Sequence, residues 1–182
     1  MIGLQPRLSS AQQRVYFEKE LNDQSIAYNL PVIIRLNGNL DIEKIKLTFS
    51  KIVQRHQILR TSFKAIAGEL FQVIHPEMDC TITFSKTNSP VKDVVEGFIR
   101  PFDLHQAPLF RIGVFELAAE DHLLLSDMHH IITDGVSSSL LISEFADLYN
   151  DKELPLPDLQ YKDYAEWQQS AAYNDIIAHQ KA

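Results

Sequence analysis

The stretch DMHHIITDGVSS, residues 127 to 138, gathers the side chains best suited to chemistry: His129 and His130 adjacent, then Asp134, then Gly135. Imidazole titrates near neutral pH and can take, give or hold a proton. A carboxylate can fix an arginine or an imidazole through a charge-assisted bond, and glycine lets a ligand or a second backbone come close. Three readings compete for this spacing. A metal site built from His129, His130 and Asp134 is disfavoured, because neighbouring strand residues point to opposite faces and the two imidazoles do not easily reach one ion. A Ser-His-Asp hydrolase needs a nucleophile elbow such as G-x-S-x-G, which is missing; Ser137, Ser138 and Ser139 read as ordinary first-turn helix residues. The third reading is bland, one satisfied core histidine with Asp134 as a helix cap, and the residues alone leave it level with a functional site.

The elements that must position the motif follow from periodicity. PLFRIGVFELA and DHLLLSDMHH are strand-like runs joined at AED, and GVSSSLLISEFADLYN reads as a helix beginning just after Asp134. The histidines therefore sit where a strand ends and a helix N-terminus begins, a place where α/β folds collect reactive groups. Ser9 or Ser10 can cap a helix through AQQRVYFEKEL. LPVIIRLNG, residues 30 to 38, is a strand stopping at a turn. In DIEKIKLTFSKIVQRH, Ile42, Ile45, Phe49, Ile52 and Val53 recur at helical spacing, giving one buried face. LRTSFKAI and ELFQVIHP form a hairpin about Gly68, CTITFS is a short strand, and VKDVVEGFIRPF after Pro90 is an amphipathic helix. YKDYAEWQQSAAYNDIIAHQ reads as one closing helix in which Trp167 anchors the core. His56, His75, His105, His122 and His179 read as surface or turn residues, and in the first helix Arg14 and Tyr16 are as suited to packing as to substrate contact.

Composition narrows the partners. The 182 residues carry 17 Lys and Arg against 24 Asp and Glu, a formal charge of -7, with no basic cluster of the kind phosphate backbones require. Nucleic acid is therefore not an expected partner. No stretch approaches the roughly 18 apolar residues of a membrane helix, and the N-terminus has no signal-peptide core, so a cytoplasmic protein is expected. The single cysteine, Cys80, can build neither an internal disulfide nor a cysteine-rich metal site and reads as a buried or half-buried thiol.

Taken with three further stretches, the motif resembles a known family. MHHIITDGVS is similar to the HHxxxDG signature of the condensation domains of nonribosomal peptide synthetases and the wider CoA-dependent acyltransferase superfamily. LSSAQQRVYF, RHQILRTSF (residues 55 to 63) and YKDYAEWQ (residues 161 to 168) resemble condensation-domain motifs in the family's order. Heterocyclisation domains carry aspartates in place of His129 and His130, and epimerisation domains usually carry tryptophan where Ser138 stands, so condensation fits best. The resemblance implies an α/β, chloramphenicol-acetyltransferase-like lobe with a mixed β-sheet flanked by helices. It further implies that residues 1–182 form the N-terminal lobe of a two-lobed domain, with the C-terminal lobe outside this chain.

The same resemblance implies amide formation between an upstream acyl or peptidyl thioester and the amine of a downstream aminoacyl thioester. Both ride on the phosphopantetheine arms of donor and acceptor carrier proteins, so no cofactor is expected on this chain, and an adenylation domain is expected as a neighbour. His130 falls at the reaction centre, His129 packs away from it, and Gly135 keeps the channel open and offers its amide. Asp134 is implied to be architectural, paired with Arg60 or else Arg55. The isolated lobe is expected to be inactive. The rival expectations are a non-catalytic lobe that binds a carrier or another partner, and a small acyltransferase that completes its crevice by oligomerising.

Overall fold

Ser9 opens the first helix, α1 (Ser10–Leu21), through a reciprocal cap: its hydroxyl accepts from the Gln12 amide while the Gln12 side chain returns a bond to the Ser9 amide. The computed structural model describes residues 5–180. After α1 come β1 (Asn29–Asn37), α2 (Ile42–Arg55, capped by Asp41), a 3₁₀ turn at Gln57–Arg60, and the hairpin β2 (Thr61–Ile66) and β3 (Glu69–Ile74). Then follow β4 (Ile82–Lys86), α3 (Val91–Phe98), β5 (Phe110–Ala118), β6 (Asp121–His129), α4 (Gly135–Tyr149), α5 (Tyr161–Trp167) and α6 (Ala171–Gln180). The expected α/β architecture is what forms, and the helix and strand assignments hold with two adjustments. The helix after Pro90 stops at Phe98 rather than Phe102, because Pro101 disfavours helical geometry at Arg100. The closing helix is two helices, since the Ser170 hydroxyl accepts from the Tyr173 amide and restarts the chain as α6.

The main sheet has the order β1-β6-β5-β4, with β1/β6 and β5/β6 antiparallel and β4/β5 parallel. β6 is thus interior, and its side chains alternate between two covered faces. Leu124 and Met128 join the cluster packed beneath α2 and α4, whereas Leu123 and Leu125 meet Phe98 of α3. Between the sheet and α2/α4 lies an apolar cavity of about 410 Å³, bounded by residues such as Ile34, Phe49, Leu124 and Phe145. His122, expected on the surface or in a turn, is buried in β6 between its register partners Leu36 of β1 and Glu116 of β5.

Asp127, two residues before the histidine pair, is completely buried and ion-paired to Arg111 of β5, its cross-strand neighbour, at 2.6 Å. Asn29 of β1 donates to the same carboxylate oxygen at 2.7 Å. The Arg111 guanidinium also donates to the Arg100 and Pro101 carbonyls and lies 3.7 Å over the Phe102 ring, fastening the segment after α3 against the end of the sheet. Burial pushes the Asp127 carboxyl above its ordinary range, against the pull of Asn29 and Arg111. Removing one partner leaves the other charge uncompensated. Arg111→Met is therefore expected to lower unfolding stability by about 3–5 kcal/mol in urea titration, and Arg111→Met/Asp127→Leu to recover more than half of that loss. A single variant within about 1 kcal/mol of wild type would contradict this assignment.

Candidate functional site

Beyond β6 the chain turns through Ile131–Asp134 before α4 begins, and two backbone bonds fix how the histidines enter that turn. The His129 amide donates to the Leu109 carbonyl at 2.9 Å and the His130 amide to the Tyr28 carbonyl at 2.8 Å, so the strand end is held from both sides. Tyr28 is itself held in place: Lys19 of α1 donates to the Asp23 and Ser25 carbonyls of the preceding loop, and the Tyr28 hydroxyl bonds Glu18. The Gln12 side chain donates to the Ile131 carbonyl at 3.2 Å, tying α1 to the turn.

His129 is fully buried, its ring edge-on to Phe102 with centroids 6.0 Å apart. Its Nδ1 accepts from the Ile131 amide at 3.2 Å, which leaves the proton of the neutral ring on Nε2. Burial, reinforced by nearby Lys19 and His130, lowers its pKa to about 4. His130 is exposed, and its Nδ1 lies 2.7 Å from the Thr133 carbonyl. A carbonyl only accepts, so Nδ1 carries the proton and Nε2 of the neutral ring is a free acceptor. Adjacent residues thus hold opposite tautomers. His130 lines a cleft of about 320 Å³ together with Arg14, Tyr28, His56, Asp134 and Tyr161.

Asp134 is exposed and caps α4, accepting from the Ser137 amide at 2.7 Å. That bond, with the Ser137 side chain assisting, holds its carboxyl below the usual carboxylate range. The expected pairing with Arg60 or Arg55 does not form. Arg60 donates to the His75 carbonyl, and Arg55 bonds Glu144 at 3.0 Å and the Pro155 carbonyl at 2.5 Å. Asp134 faces solvent, where a carboxylate needs no arginine partner, and it turns toward the open amides of its own helix. Gly135 opens α4, and a Cβ there would meet nothing within 4 Å.

Among the described residues no cluster of His, Cys, Asp or Glu could hold a metal. Cys80 is half-buried, and burial pushes its thiol up to about 11, so it is not a reactive thiolate. Tyr16 is buried and donates to His105 Nε2, whose ring is held by Asp103, while Arg14 is exposed on the cleft. Trp167 is not a core anchor: it is 42% exposed and packs edge-on against Tyr173 at 4.9 Å, joining α5 to α6. His56 is not a plain surface residue, since it is largely covered and bonds Glu144 of α4. No described helix is long and apolar enough to cross a membrane.

Sequence reasoning missed Asp127, Arg111, Gln12, Tyr161 and Glu144. Gln12 was open to detection, because Ser9-x-x-Gln12 is a capping-box spacing. Tyr161 shares a 2.8 Å hydrogen bond with Ser9, and Gln160 both accepts from the Gln57 amide and donates to the Arg55 carbonyl. The four motif stretches therefore meet around one cleft.

A condensation-domain family model matches residues 5–182. The chain belongs to the condensation-domain family. Among relatives of this condensation-domain chain, tyrocidine synthase 3 of Brevibacillus parabrevis is 44% identical over 176 residues, covering 96% of this chain and 3% of that protein. Bacitracin synthase 3 of Bacillus licheniformis is likewise 44% identical over 176 residues, covering 96% of this chain and 3% of its own length. The X-domain from teicoplanin biosynthesis superposes with a TM-score of 0.83 at 25% identity, over all of this chain and 41% of that one. The condensation domain of the Monacolin K polyketide synthase MokA shares the fold at a TM-score of 0.82 and 20% identity, over 96% of this chain and 40% of that one. The chain thus spans a small part of these synthases and about two fifths of these solved chains.

The depressed His129 pKa has a consequence for stability. A histidine held neutral in the fold contributes stability that is full above its unfolded pKa of about 6.5 and is lost as pH falls through that value toward about 4. By that linkage, His129 should account for on the order of 3 kcal/mol of acid destabilisation. His129→Leu is expected to be somewhat less stable at pH 7 but to lose less on going to pH 4.5, measured by urea unfolding at both values. Equal acid losses in the two proteins would contradict a buried neutral imidazole.

Proposed function

We propose that this chain is the N-terminal lobe of a condensation domain and supplies the histidine side of its catalytic cleft, with the C-terminal lobe lying outside these residues. The reaction is peptide-bond formation in nonribosomal peptide synthesis. The amine of an acceptor aminoacyl thioester attacks the carbonyl of a donor acyl or peptidyl thioester, the C–S bond breaks, and the donor thiol leaves. Both substrates are carried on phosphopantetheine arms of carrier proteins, and an adenylation domain loads the acceptor. The observation that carries this reading is His130, exposed on the cleft with Nδ1 tied to Thr133 so that Nε2 is free to accept.

An α-amino group titrates near 8, so part of the nucleophile is neutral at physiological pH and no strong base is needed. Nε2 of His130 accepts a hydrogen bond from the attacking nitrogen, aligns it, and takes the proton it sheds. His129 stays neutral and fixes the turn. Asp134 orders the first turn of α4, and the Gly135 amide at that positive helix end faces the developing oxyanion. In this reading Asp134 acts through α4 rather than on substrate, and Arg60 and Arg55 serve the scaffold.

The test is the intact mass of an aminoacyl-loaded acceptor carrier after incubation with a loaded donor carrier. The chain alone is expected to give no product, and the chain supplemented with the C-terminal lobe to give the acylated acceptor. His130→Ala should slow this at least about 100-fold. Product from the chain alone would contradict the half-site reading. An undiminished rate in His130→Ala would contradict the role of His130, and would favour a lobe that only binds partners.

A further inference from the structure

The cleft holds a second imidazole that the reaction as described does not use. His56, at the C-terminal end of α2, shares the lining of the 320 Å³ cleft with His130. Its Nε2 lies 2.5 Å from Glu144 Oε2, and Arg55 Nε bonds the other oxygen of that carboxylate at 3.0 Å. Arg55 donates to one oxygen of this carboxylate and the other accepts from His56, so the proton of the neutral ring sits on Nε2 and Nδ1 is a lone pair. Among the described residues Nδ1 has no hydrogen-bond partner. Glu144 comes from α4 and is itself buried, so the carboxylate is built into the packing between α2 and α4 rather than resting on the surface. A histidine backed by a buried carboxylate is the arrangement that holds an imidazole in one orientation and stabilises the imidazolium once it takes a proton.

The condensation reaction has a task for such a group. An acceptor amine arrives mostly as ammonium at neutral pH, and it must lose one proton before it can attack. We propose that His56, backed by Glu144, is a further catalytic residue that accepts this proton, so that the acceptor reaches His130 as the free amine. This rests on the condensation reading above. The step balances: one ammonium N–H proton moves to His56 Nδ1, the nitrogen pair is released for attack, the imidazolium pairs with Glu144, and the proton is later returned to water. The proton shed as the C–N bond forms is handled separately at His130. The charged and titratable groups around His56 are Glu144 of α4, Arg55 of α2, Arg14 of α1, Tyr28, His130 and Asp134 beyond β6, and Tyr161 of α5. Of these, Glu144 is the carboxylate bonded to the ring.

The experiment is the pH dependence of condensation, read by acceptor-carrier mass, for the complete condensation domain with His56→Gln, which can still donate to Glu144. Without the proton acceptor, deprotonation of the ammonium held in the cleft is left to solvent hydroxide, whose supply falls with pH. The rate is expected to fall about tenfold at pH 6.5 and by less than about twofold at pH 9, where the amine is free on its own. Glu144→Gln keeps a hydrogen bond but removes the charge, and should show the same pH-dependent loss more weakly. A loss equal at both pH values, or none, would overturn the proposal and leave His56 a packing residue. His130→Ala run in parallel separates the two claims, because its loss should appear at every pH. If His130→Ala keeps the wild-type rate, or if the wild-type domain forms no product, the condensation reading itself fails and the proposal falls with it.

Discussion

The organisation of this chain depends on how one interior strand ends. β6 lies between β1 and β5, and at its last residues the backbone bonds split: His129 is held to Leu109 on one side and His130 to Tyr28 on the other. A strand at the sheet edge would have only one such grip, and its terminal side chains would be free to reorient. Here the two amides are fixed, the turn to α4 follows, and the imidazoles fall to opposite fates. One is buried and neutral with Nδ1 as acceptor, and the other is exposed with Nε2 as acceptor. Beneath them the Asp127–Arg111 pair joins β6 to β5 and, through the Arg100 and Pro101 carbonyls, to the segment after α3.

Several of the motif residues serve this arrangement by bonding one element to another. Ser9 caps α1 and bonds Tyr161, Gln12 holds the Ile131 carbonyl, and Gln160 bridges to the 3₁₀ turn after α2. These are neutral hydrogen bonds, each worth on the order of 1 kcal/mol net, and their value lies in the number of elements they bring to one cleft. The charged contacts divide differently. Arg7–Glu69 and Arg35–Asp121 are exposed and contribute little, whereas Arg55–Glu144 and Arg111–Asp127 are largely covered and fix relative positions of helices and strands.

Much of this was legible in the sequence because the relevant signals are local. The period-two runs ending at His129, the helical spacing in α2, and the Asp134-Gly135 step into α4 each follow from near neighbours. Four motif stretches in order then made the family and the fold recognisable. Side-chain partners across the chain were not legible, since Arg111 and Asp127 are brought together by strand register and Arg55 and Glu144 by helix packing. The Asp134–Arg60 expectation failed for the same reason: it required knowing that Asp134 is exposed, which depends on the turn geometry. The break between α5 and α6 was locally encoded by Ser170, and the apolar residues on either side masked it.

The central claim is that the turn holds His130 in one tautomer with Nε2 presented to the cleft. The direct measurement is long-range proton–nitrogen correlation NMR of the histidine side chains above pH 7.5 in ¹⁵N-labelled chain, with the His130 signals assigned by their loss in His130→Ala. The account requires His130 to be protonated on Nδ1 with an unprotonated Nε2, and His129 to show the opposite pattern. A His130 ring protonated on Nε2, or exchanging between tautomers like a free imidazole, would contradict it.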